Sequence, residues 1–209
     1  MLAIVGGKGG CGKTTSALGL AAALDEPALV ADCDVDMPNA HAMAAVSREP
    51  TLAELTDSDR PLADVASGPV DEWGTSVLPA PPTAEETRLA PALDRLDRVD
   101  RPVVLDCPAG AGPDAATPLS AADAAVVVST VCAPALRDAA KTVAMARAVG
   151  TPVLGAVLTR TRLAPDSVAD LLDCPVLASV PSVDPPVLDR RVVREAYERA
   201  ADELRLGKN

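Results

Sequence analysis

Between an apolar run at Leu2 to Val5 and a stretch with helical spacing from Lys13 to Leu24 lies Gly7-Lys-Gly-Gly-Cys-Gly12-Lys13-Thr14. It fits G-x-x-x-x-G-K-[ST], a phosphate-cradling loop, and its flanks supply the strand and helix that such a loop needs. Gly7, Gly9, Gly10 and Gly12 let the backbone curl until successive N–H groups face one anion. The helix N-terminus adds partial positive charge. Lys13 is placed to neutralise the β- and γ-phosphates of a nucleotide, and the Thr14 hydroxyl to ligate Mg²⁺. A chain opening on strand, loop and helix in this way is committed to an α/β architecture.

The remaining pattern agrees. Further apolar runs fall at Ala28 to Ala31, Val77-Leu78, Val103 to Leu105, Ala124 to Val128, Val153 to Leu158 and Val176 to Val180. Helical spacing covers Thr83 to Arg98, interrupted near Pro91, then Ala135 to Ala148, and finally Val192 to Leu206. Thr51-Leu-Ala-Glu54 reads as a capping box opening a short helix. Most strands are apolar throughout rather than alternating, as in a parallel sheet covered on both faces. The expected fold is therefore an α/β three-layer sandwich with a mostly parallel sheet, in one domain over residues 1–209. Its functional groups should gather at the carboxyl ends of the strands. Gly6–Thr15, Asp32–Asn39, Asp106–Gly110 and Thr159-Arg160 fall there.

Composition excludes several classes of function. His41 is the only histidine, which leaves imidazole-based catalysis or metal binding almost no material. Cys11, Cys33, Cys107, Cys132 and Cys174 are scattered, with no C-x-x-C pair, and read as free thiols. Cys11 sits where amides and two lysines can lower its pKa, but it is read as a small residue that fits. No apolar run approaches the roughly 20 residues of a membrane span, and the early glycines break any secretory signal. The expected location is the cytoplasm, with any membrane contact made through a partner. Net charge is −11, which disfavours nucleic acid and anionic lipid. Only four of the 19 basic residues are lysines (Lys8, Lys13, Lys141, Lys208), against 30 acids. Adaptation to high salt and a GC-rich genome both account for that balance.

Lys8 narrows the field. Lys8-Gly-Gly-Cys-Gly-Lys13-Thr14-Thr15 resembles the deviant Walker A signature of the MinD/ParA family of ATPases. The resemblance implies ATP and Mg²⁺ as ligands, with Gly7 through Thr15 around the phosphates. It implies a sandwich dimer formed on ATP, in which Lys8 reaches the partner's phosphates. Asp32-Cys-Asp34 with Asn39 five residues on resembles the first switch of MinD-type members more than the shorter ParA-type spacing. Asp34 has the chemistry to orient an attacking water. Asp32 and Asp36 read as a strand-end turn carboxylate and a solvated charge. Asp106-Cys-Pro-Ala-Gly110 resembles the Walker B strand with the second switch. The implied catalytic set is Lys8, Lys13 and Asp34, and the implied Mg²⁺ set is Thr14, Asp34 and Asp106. Val180-Pro-Ser-Val-Asp184 should border the adenine through Pro181 and Val183. Thr159-Arg160 stands where the family commonly has Asn-Arg, with Asn reading the base. A threonine cannot present that amide pattern, so adenine preference is less well founded than phosphate binding.

Two functions compete. A MinD-like ATPase would dimerise on ATP and act in spatial organisation, such as positioning the division site, through a regulatory or cargo protein. A ParA-like DNA-partition ATPase is favoured only by Arg190, Arg191 and Arg194, and net charge opposes it. Cluster scaffolds and reductases of the superfamily need cysteine arrangements that this chain lacks. Stable membrane attachment is not expected, because the apolar residues between Glu195 and Asn209 are better used packing on the domain.

Overall fold

A strand that is apolar at every position is stable only when both faces of its sheet are covered, and that is the arrangement found. The computed structural model describes residues 1–57, 66–70, 74–81 and 89–206. The strands are β1 (Leu2–Gly6), β2 (Leu29–Asp32), β3 (Ser67–Val70), β4 (Thr75–Leu78), β5 (Val103–Ala109), β6 (Ala124–Thr130), β7 (Val153–Thr159) and β8 (Val176–Val180). The helices are α1 (Lys13–Ala22), α2 (Ala40–Met43), α3 (Glu54–Asp57), α4 (Leu89–Leu96), α5 (Pro113–Ala121), α6 (Ala133–Ala148), α7 (Asp166–Leu172) and α8 (Arg191–Leu206). One sheet carries the order β3-β4-β2-β5-β1-β6-β7-β8. Every pairing is parallel except β3 with β4.

Two cores flank the sheet, and alternate residues of each strand feed them. Ala3, Val5, Val103, Leu105, Ala125 and Val127 point to one side, where Leu93, Leu96, Leu119, Val143 and Leu172 from α4 to α7 meet them. Ile4, Val104, Val126 and Val128 point to the other, against Leu18 and Leu20 of α1 and Val193, Ala196 and Tyr197 of α8. The three-layer sandwich is as expected. The apolar residues of α8 are spent on the core: Ala196, Tyr197, Ala200, Ala201 and Leu204 are all buried. Among the described residues no helix is long and apolar enough to cross a membrane.

Several boundaries differ from the sequence reading. α1 stops at Ala22, and Ala23 and Leu24 close it with tighter bonds to Leu20 and Ala21. β5 runs past Asp106 to Ala109, with an irregular register against β1 where Pro108 lacks an N–H. The expected helix from Thr83 to Arg98 is described only from Leu89 on, and residues 83–88 lie outside the described set. At the capping box, the Glu54 carboxylate accepts from the Thr51 N–H at 2.6 Å, and the Thr51 hydroxyl takes the Ala53 N–H at 3.3 Å. All five cysteines are free thiols.

Candidate functional site

The loop between β1 and α1 is tightly held. A Cβ on Gly7 would lie 2.2 Å from the Asp138 carbonyl carbon, so only glycine lets the loop lie against α6. Gly12 has φ 97° and caps α1 with no side chain of its own. The first helical bond runs from the Ser16 N–H to the Gly12 carbonyl at 2.9 Å. The N–H groups of Lys13, Thr14 and Thr15 therefore have no carbonyl partner within the helix, and such amides at a helix N-terminus suit an anion. Lys13 is buried, whereas Lys8, Gly9 and Gly10 are exposed at the rim. Lys8 lies close enough to Asp138 and Cys132 for its charge to lower both pKa values, behind the larger effects of Lys141 and Thr130. The Cys11 thiol is pushed up, because burial outweighs Lys13 and the surrounding amides; it packs.

Opposite the loop, β2 and β5 set Asp32 and Asp106 side by side in register. Their sequence neighbours make them very different groups. Asp32 is buried with its oxygens fully used: Oδ1 accepts the Asp34 N–H at 3.0 Å, and Oδ2 accepts those of Asn39 and Ala40, both at 3.1 Å. Burial nevertheless pushes its pKa up to about 6. Asp32 thus staples both ends of the segment leading into α2, the turn role expected of it. Asp106 is 1% exposed, and neither carboxylate oxygen has a hydrogen-bond partner. Burial, then the Asp32 charge, push its pKa up to about 8. The Thr14 hydroxyl and Lys13 charge pull the other way, although Thr14 closes no hydrogen bond of ordinary geometry. Asp34 is half-buried on the same side and accepts the Met37 N–H at 3.1 Å.

The loop's other flank is formed by β7, β8 and α8. Thr159 is buried, and its hydroxyl donates to the Cys11 carbonyl at 2.6 Å, with the Ser129 carbonyl at 3.4 Å. The Arg160 guanidinium donates to the Gly10 carbonyl at 2.9 Å. Beside them opens a cleft of about 210 Å³, walled by Thr15, Val180, Pro181, Val183, Val187 and Tyr197. Pro181 and Val183, the pair expected beside a base, both line this cleft. Val187 and Tyr197 were missed; the one available signal is that Tyr197 is the chain's only tyrosine. Its hydroxyl meets Ser16 Oγ at 3.0 Å.

The residues present fit a magnesium nucleotide. The loop offers unused N–H groups and Lys13, the cleft offers apolar walls, and Asp106 offers an unpaired carboxylate. No cluster of three or more His, Cys, Asp or Glu able to hold a metal occurs among the described residues. A cation here would complete its shell on phosphates, as Mg²⁺ commonly does. A parallel sheet whose first strand runs into this loop, with a buried carboxylate across from its lysine, defines a P-loop nucleotide-binding protein. Comparison with known proteins agrees: the CobQ/CobB/MinD/ParA nucleotide binding domain matches residues 2–198. The chain belongs to that MinD/ParA family of P-loop ATPases. It is 32% identical over 203 residues to an uncharacterized ATP-binding protein of Methanocaldococcus jannaschii, covering 89% of this chain and 75% of the relative. Its fold is similar to that of the septum site-determining protein MinD from Pyrococcus horikoshii in complex with Mg-ADP. That match has a TM-score of 0.83 at 25% identity, over 97% of this chain and 94% of the other. The cell division ATPase MinD of Pyrococcus furiosus gives 0.82 at 26%, over 98% of each chain.

Proposed function

We propose that this chain is a Mg²⁺-dependent ATPase acting as a switch, which pairs with a second copy on ATP, separates after hydrolysis, and signals through a protein partner. The observation carrying this reading is Asp106. A protein interior does not ordinarily keep a carboxylate with both oxygens unsatisfied, and such a group beside an anion-binding loop is a functional-site signal. Mg²⁺ held there would neutralise phosphate charge and fix the geometry of transfer. The chain's own groups do the rest. The N–H groups of Gly9 to Thr15 hold the phosphates, and Lys13 balances their charge at close range. Thr14 and Asp106 would hold the cation side, with half-buried Asp34 as the further carboxylate. Asp34 accepts a hydrogen bond from water and so orients it for attack. Lys8, exposed at the rim, is the cation available to the phosphates of a second protomer. The Mg-ADP carried by the Pyrococcus horikoshii MinD supports the same ligand here.

The partner is a protein, in a MinD-like positioning role, and not DNA or lipid. Of the three C-terminal arginines, Arg190 donates to the Asp184 and Pro185 carbonyls and Arg191 pairs with Glu195 at 2.6 Å. That leaves Arg194 as the one without a partner among the described residues, on a body of net charge −11. No observation favours the DNA-partition reading. The protein works in the cytoplasm and reaches a membrane only through its partner.

Light scattering with Mg²⁺-ATP tests the switch. Asp34→Ala should bind ATP and accumulate as a dimer, because binding survives while water positioning is lost. Lys8→Ala should bind ATP and stay monomeric. An Asp34→Ala monomer hydrolysing at the wild-type rate refutes the mechanism, and an ATP-dependent gel shift of DNA replaces it with the partition reading.

A further inference from the structure

Each peptide plane in the phosphate loop that turns its N–H toward an anion turns its carbonyl the other way. Those outward carbonyls need donors if they are shielded from water. Here the donors come from the end of β7. Thr159 supplies the Cys11 carbonyl at 2.6 Å, and Arg160 the Gly10 carbonyl at 2.9 Å. The Thr159 methyl also backs the turn: a Cβ on Gly12 would lie 3.2 Å from its Cγ2. Arg160 adopts φ 56°, a conformation that a non-glycine residue holds only under constraint. That turn accompanies the return of its guanidinium to the loop.

We propose that Thr159 and Arg160 are positioning residues that clamp the phosphate loop from behind and set its affinity for phosphates, without reading the base. The inference rests on the nucleotide-binding reading above and deepens it. A threonine hydroxyl has one proton to give. At Thr159 that proton is spent on Cys11, so the side chain cannot offer a base the paired donor and acceptor of an amide. The cleft beside it offers a flat ring the apolar side chains of Val180, Pro181, Val183 and Val187. Adjacent residues therefore divide the labour: β7 fixes the loop, and the segment after β8 covers the base.

The test uses one ligand with a base and one without. The affinities of ATP and of inorganic tripolyphosphate, both with Mg²⁺, are measured by displacement of a fluorescent ATP analogue from the full chain. Thr159→Val keeps the shape and deletes the donor, and should weaken both ligands by the same factor, about three- to tenfold for one neutral hydrogen bond. Thr159→Ser keeps the donor and should restore both, a rescue that lost packing alone would not give. If Thr159→Val folds poorly, Arg160→Ala alters an exposed side chain and should show the same parallel loss. A loss confined to ATP makes Thr159 a base reader and overturns the clamp. So does a Thr159→Ser variant as weak as Thr159→Val, or a Thr159→Val variant with unchanged affinities. A wild type that binds neither ligand overturns the clamp together with the nucleotide-binding reading beneath it.

Discussion

Asp106→Asn should make the metal-free protein more stable while destroying its response to Mg²⁺-ATP. The folded protein raises the Asp106 pKa from an ordinary 3.8 to about 8, chiefly by burial. A raised carboxylate pKa means that the fold prefers the protonated form. The contribution to stability is therefore fully present below about pH 4 and is lost as pH rises through 8. At about 1.4 kcal/mol per pKa unit, the ionised group costs up to roughly 5 kcal/mol at pH 8. Relaxation around the site and shared burial with Asp32 bring a working figure to about 3 kcal/mol. Asparagine removes the charge but leaves an amide short of partners, which returns about 1–2 kcal/mol of that gain. The net rise is about 1–2 kcal/mol, or roughly 2–8 °C in Tm for a chain of this size. Thermal unfolding in EDTA at pH 8 and pH 5 measures it: the variant should melt higher at pH 8, and the gap should close at pH 5. Adding Mg²⁺-ATP should reverse the order, because the wild type gains a ligand that the variant has lost. A variant that melts no higher than wild type in EDTA at pH 8, or that gains as much from Mg²⁺-ATP, refutes the argument.

Two other perturbations follow from the packing and the composition. Gly19→Ala should destabilise by about 1–3 kcal/mol in urea unfolding, because the new Cβ would sit 2.3 Å from the Tyr197 ring; an unchanged midpoint would show that α8 yields freely there. Stability in KCl separates the two explanations of composition. A halophilic chain should gain stability up to molar salt, beyond the point where the Debye length has fallen to about 3 Å, and a flat Tm favours the genomic one.

Much of the fold was legible because its signals are local. The phosphate loop is contiguous, and the buried strands announce themselves by apolar runs ending in Asp32, Asp106 or Thr159. The misses have physical causes. α5 begins at Pro113 and carries Pro118 in its interior, so it reads as a loop. α7 has seven residues, too few for a convincing helical period. β3 pairs antiparallel at the sheet edge and includes Pro69, which ordinarily argues against a strand. Within the site, the side chains offered to a nucleotide were nameable from motif resemblance, whereas the groups holding them were not. Thr159 and Cys11 lie 148 residues apart, and nothing near either names the other. The three amides on Asp32 are likewise a property of the folded loop, invisible in a lone aspartate at a strand end.

That staple has a mechanical consequence. Because one carboxylate anchors the Asp34 amide at one end and the Asn39 and Ala40 amides at the other, the intervening residues form a closed eyelet. Met37, 70% exposed, sits at its tip. Tension applied to the tip is shared between Asp32, at the carboxyl end of β2, and Ala40, the first residue of α2, whose amide that carboxylate holds. Lengthening such an eyelet by a residue adds little closure entropy, since that cost grows only with the logarithm of loop length. Its reach can therefore change while its anchorage stays the same.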